Sequence, residues 1–189
     1  MSESKKGVFV TPNVPVMSII LMVFALILRL LPSFVEGMGF TIRVFLPYVA
    51  MLMMLMGMIL HKKNLQLLTG IGTLLFALTS LFSLLTSLFG IYIPYGMNAM
   101  NVLSLLIDLV AFAAYTVTGL HYVLRRPKPG KAAKLILMIP LTFLLIIDTI
   151  IRIILLLEYG HVPVWVLTSL LSEILMAFAL MVYTPFREA

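Results

Sequence analysis

Six long apolar runs with only short polar breaks between them decide what this chain can fold into. A helix that crosses a hydrocarbon core of ~30 Å needs about 20 apolar residues, and in lipid every backbone amide must bond within its own element. The runs cover Val16 to Leu31, Val44 to Leu60, Leu65 to Phe89, Met97 to Leu124, Leu135 to Leu157 and Val162 to Tyr183. Charged residues make up 11% of the chain, against roughly a quarter in soluble domains, so water is excluded as the main solvent. The expectation is an all-α integral membrane protein. Its single six-helix domain covers residues 16–184, between tails 1–15 and 185–189.

Local punctuation agrees with these boundaries. Pro15 suits a first helical turn and Pro32 a stop; Gly37 and Gly39, then Gly90, Pro94 and Gly96, then Gly160 and Pro163 mark three hairpins. The first run is read as a retained helix rather than a cleaved signal, because Arg29 interrupts it and no A-x-A-like site follows.

The basic residues orient the bundle. Lys5 and Lys6, Lys62 and Lys63, the loop with Arg125, Arg126, Lys128, Lys131 and Lys134, and Arg187 all fall on one side of a six-span chain. The positive-inside rule puts that side, with both termini, in the cytoplasm. Three arginines and three acids lie within or at the ends of the spans and cancel. The formal net charge of +6 therefore belongs wholly to tails and loops, which makes it a topology signal and excludes nucleic acid as its cause. Tyr92, Tyr95, Tyr159 and Trp165 are expected in the aromatic belt on one side, Tyr122 and Tyr183 on the other. The expected location is a bacterial inner membrane.

The three hairpins resemble one another. Ser104-Leu-Leu-Ile-Asp108-Leu aligns with Ser169-Leu-Leu-Ser-Glu173-Ile, and helices 2 and 4 end in similar runs at His61 and His121. Three tandem two-helix repeats would place Tyr48, Asp108 and Glu173 at equivalent positions and similar depth.

Charges at bilayer depth are costly and mark either structural pairs or function. The candidates are Arg29, Arg43, Asp108, Asp148, Arg152 and Glu173, with Tyr48 by the repeat alignment. One reading has Asp148 and Arg152, four residues apart, as a local pair, the other arginines snorkelling to the surface and the acids hydrogen-bonded between helices. The other has all of them lining a polar cavity, with the arginines holding an anionic or zwitterionic group and Asp108 and Glu173 a cation or proton. On helix 3, Thr69, Gly72, Thr73, Ser80, Ser83 and Ser87 form a small-residue stripe suited to close packing. The five basic residues from Arg125 to Lys134 suit anionic lipid or an acidic partner subunit.

No cysteine is present, no metal or catalytic motif occurs, and the methionine-rich run Met51 to Met58 lies among leucines, so no metal or cofactor is expected. In size and helix count the chain is similar to the six-helix substrate-binding membrane subunits of bacterial vitamin uptake systems; the similarity carries no motif and transfers no residue. The leading expectation is a protein that binds or transports a small polar or charged solute, alone or as the membrane subunit of a larger transporter. Two alternatives stand beside it: a scaffold or accessory subunit, and an intramembrane enzyme with Asp108 and Glu173 as paired carboxylates.

Overall fold

The structure, a computed structural model, describes residues 15–35, 42–60, 66–89, 99–124, 130–160 and 162–183. These form six helices and, among the described residues, no strand: α1 (Val16–Val35), α2 (Ile42–Leu60), α3 (Gln66–Ser87), α4 (Ala99–Val123), α5 (Gly130–Tyr159) and α6 (Val164–Val182). Four of them, α3 to α6, are long and apolar enough to cross a membrane, and α1 and α2 contain shorter apolar stretches.

The helices follow from apolar content and from how their polar atoms are satisfied. Thr73, Thr142, Thr149 and Thr168 each donate their hydroxyl to the carbonyl four residues earlier, so these side chains spend their polarity inside their own helix. Pro32 does not end α1, which continues to Val35. Pro47 and Pro140 likewise sit inside α2 and α5. A proline removes one ladder bond, but in apolar surroundings the residues beyond it still gain by staying helical.

Each helix packs on its neighbours in sequence, and α6 returns to α1. The ends of α1, α3 and α5 thus gather with the starts of α2, α4 and α6 at a hairpin end, opposite a terminal end. Tyr115 and Tyr122 of α4 bond to residues 58 positions later on α6, so these two helices run parallel and touch directly. α5 lies in the groove they form.

Two seams are close enough to require glycine. A Cβ on Gly72 would lie 2.5 Å from the Ala50 carbonyl oxygen, and one on Gly119 would lie 2.6 Å from Leu74 Cγ. Backbones that approach this closely lock α3 between α2 and α4. The core is otherwise rich in methionine, with Met22, Met51, Met54, Met58, Met138 and Met176 fully buried. Large apolar side chains also cover the outer surface: Leu157, Ile136 and Phe143 are 81%, 68% and 63% exposed. Such a surface is suited to lipid tails and not to water.

At the terminal end the structure departs from two expectations. Tyr122 and Tyr183, expected in an aromatic belt, are buried and packed edge to face, and the Tyr122 hydroxyl donates to the Leu180 and Tyr183 carbonyls. α5 starts at Gly130, which carries Lys134 from the basic loop into a helix, where it is 1% exposed. Its ammonium donates to the carbonyls of Leu180 at 2.9 Å and Tyr183 at 3.0 Å. The last carbonyls of a helix have no partner within it, and a cation there also complements the helix dipole. Lys134 is thereby the cap of α6, turned away from lipid headgroups.

Candidate functional site

The described ionisable candidates within the helices do not form one group; they divide into a cavity and a separate pair. The cavity has a volume of about 560 Å³ and lies in the half of the bundle nearer the hairpin end. Three charged side chains from three helices line it: Arg29 of α1, Asp108 of α4 and Glu173 of α6. α3 contributes the hydroxyls of Thr79, Ser80, Ser83 and Thr86. The apolar wall is Leu46 and Pro47 of α2 with Phe76, Leu78 and Phe82 of α3.

Local sequence explains why space opens here. α2 and α3 are in closest approach at Ala50 and Gly72, and Thr69 donates to the Met54 carbonyl one turn farther toward the terminal end. Toward the hairpin end comes Pro47, which cannot donate to the Arg43 carbonyl and so interrupts the ladder where the cavity begins. The opposite walls stay together, because Ser172 donates to the Ala25 carbonyl at 2.7 Å and Tyr48 to the Arg29 carbonyl.

Each carboxylate has one fixed oxygen. Ser83 donates to Asp108 Oδ2 at 2.9 Å, and Tyr115 donates to Glu173 Oε1 at 3.2 Å. Tyr115 is fully buried and packs edge to face on Phe76, with ring centroids 5.0 Å apart, so the hydroxyl that orients Glu173 is itself held rigidly. Among the described residues, the second oxygen of each acid takes no hydrogen bond, and the Arg29 side chain makes no ion pair or hydrogen bond. Arg29 and Glu173 attract each other electrostatically across the cavity.

The acids are not at one height. In the register set by Tyr115 and Tyr122, Asp108 stands level with Val166, seven residues before Glu173 on α6. Asp108 is thus about 10 Å nearer the hairpin end, and Glu173 forms the floor. Ser83 at Asp108 is exposed, whereas Tyr115 at Glu173 is buried. Similar depth, as the hairpin alignment implied, is replaced by an upper and a lower carboxylate.

The remaining candidates lie elsewhere. Asp148 and Arg152 on α5 pair at 2.9 Å, and neither lines the cavity. Tyr48 is buried and braces the α1 backbone beside Arg29 without lining the cavity itself. The small-residue stripe of α3 also divides: Thr69, Gly72 and Thr73 are packed within the bundle, while Ser80 and Ser83 face the cavity. The backbones of Arg43 and Lys131 are helical but their side chains lie outside the described residues, as do Arg125, Arg126 and Lys128 entirely. Among the described residues no cluster of His, Asp and Glu has the composition to hold a metal ion.

Sequence reasoning missed Tyr115 as a partner of Glu173. The signal is present, since Tyr115 follows Asp108 by seven residues and so projects from the same face of α4. Nothing in the sequence marks Leu78 and Phe82 as cavity wall, because they are indistinguishable from their lipid-facing neighbours. Compared with known protein families, curated proteins and solved structures, the chain matches none of them.

Proposed function

We propose that this chain is a small multi-pass membrane protein that binds, and by binding moves, a small charged solute held between Arg29, Asp108 and Glu173. In this reading all six helices cross the membrane, both termini face the cytoplasm, and the cavity lies in the half nearer the opposite side. One observation carries it: three charged groups from three different helices share one cavity and keep bonding capacity that no other described residue uses. Structural charges in lipid usually pair with an opposite charge, as Asp148 and Arg152 do; among the described residues the cavity charges form no ion pair although three of them share one space, which is the arrangement expected of a binding site. The membrane-subunit role within a larger transporter remains part of the proposal.

The test uses the purified chain in lipid nanodiscs and equilibrium dialysis with radiolabelled probes that span cation, zwitterion and anion. At least one probe binds saturably to the wild-type chain. Asp108→Asn and Glu173→Gln each weaken it tenfold or more while the unfolding temperature stays within a few degrees. Unchanged binding in both variants removes the proposal.

A further inference from the structure

The cavity combines a charge imbalance with an apolar wall and a mouth on the flank of the bundle. Arg29 contributes one positive charge, and Asp108 and Glu173 two negative ones, so the ionised site has a formal charge of minus one. In a medium of low dielectric a charge without a counter-charge is costly, so the site gains most from a ligand that restores neutrality. A ligand with a single positive charge neutralises the site; a zwitterion leaves the imbalance and an anion deepens it. A bare metal ion does not suit about 560 Å³ bounded by Leu46, Pro47, Phe76, Leu78 and Phe82.

The mouth is placed by Leu78 and Phe82. Both line the cavity, and they are 52% and 50% exposed on a stripe of α3 that Ile71, Leu85 and Phe89, exposed but outside the cavity, continue along the bundle surface. Leu78 is nine residues and Phe82 five from the end of α3 at Ser87. At 1.5 Å per residue the mouth is about 7–14 Å below the helix end, at hydrocarbon depth for a membrane-spanning helix. Across it stand Leu46 and Pro47 of α2, beyond the point where α2 and α3 are in closest contact. A molecule that passes between α2 and α3 comes from the lipid phase. It meets Asp108 near the exposed Ser83 first and Glu173, with Tyr115, at the floor.

From this geometry we infer that the ligand is a lipophilic organic monocation that reaches the cavity sideways from the bilayer, between α2 and α3. This rests on the binding function proposed above and names its substrate class and route. The cationic centre exchanges between Asp108 and Glu173, Arg29 keeps the total charge at one unit, and the apolar body lies against Phe76 and Phe82.

Tetraphenylphosphonium, its near-isosteric anion tetraphenylborate, methylammonium and glycine betaine separate the possibilities. Each is dialysed against the full chain in nanodiscs, with empty nanodiscs subtracted. Tetraphenylphosphonium is expected to bind saturably and at least tenfold more tightly than methylammonium, with no saturable tetraphenylborate binding. Asp108→Asn weakens it at least tenfold, and Glu158→Gln, the same charge change on an exposed residue outside the cavity, leaves it unchanged. In rapid-filtration time courses with labelled tetraphenylphosphonium, Leu46→Trp, which narrows the mouth from α2, slows association at least threefold. Equal binding of phosphonium and borate overturns the inference, because charge then plays no part. Binding of methylammonium or glycine betaine without tetraphenylphosphonium overturns it too, but leaves the binding function standing. An association rate unchanged by Leu46→Trp overturns the lateral route. Loss of acid dependence for every probe removes both inference and function.

Discussion

Lys134 shows how strongly the surroundings of one side chain override its place in the sequence. It follows a run of basic residues, yet its ammonium serves the carbonyls of Leu180 and Tyr183 and lies 5.5 Å from the centre of the Tyr122 ring. Lys134→Met keeps most of the apolar stem but leaves the Leu180 and Tyr183 carbonyls to share the single Tyr122 hydroxyl proton, a loss of about 2 kcal/mol. Thermal unfolding in detergent is expected to show a clearly lowered midpoint; a lysine at a lipid surface predicts no change. Asp108 and Glu173 are legible in the sequence because ionisable groups are rare in apolar runs. Their partners are less so: the spacing of Tyr115 from Asp108 gives a face of α4 but not the acid it meets. A serine or tyrosine in a helix has many routes to satisfaction, and only the register between helices decides that Ser83 meets Asp108 and Tyr115 meets Glu173.

Among the helices, α3 carries most of the architecture, since it is gripped by α2 through Gly72 and by α4 through Gly70 and Gly119. The added methyl of Gly72→Ala meets the Ala50 backbone oxygen and Met54 together, which side-chain rotation alone does not relieve. The expected cost is about 1–3 kcal/mol, the usual range for overpacking, despite the higher helix propensity of alanine. Gly119→Ala meets the Leu74 side chain first and is expected to cost less, so the difference between their unfolding midpoints measures the α2–α3 seam. Helix positions were readable from the apolar runs because lipid leaves the backbone no other choice. Helix ends were less so: Pro32 reads as a stop and Gly130 as loop, but α1 runs past the first and α5 begins at the second. In both places the stability of continued helix in its final surroundings outweighs a local preference that the residue type alone expresses.

For the whole molecule, the arrangement to be tested is the one that puts hairpin and terminal ends on opposite faces of a membrane. The chain has no cysteine, so a single introduced thiol reports its own position without interference. On intact cells a membrane-impermeant maleimide is expected to label the Gly96→Cys protein and to reach the Ser4→Cys protein only after permeabilisation. Labelling of both, or the reverse pattern, rejects the proposed orientation. The bundle closure also imposes an order in time. Leu180 is made 46 residues after Lys134, and Ser172 is made 147 residues after Ala25, the residue whose carbonyl it binds. While the ribosome is still at work, the lysine has no acceptor on α6 and α1 has no α6 beside it. Arrival of the last helix supplies both at once, together with Glu173, so a nascent chain that stops short of α6 has neither a closed bundle nor a complete site.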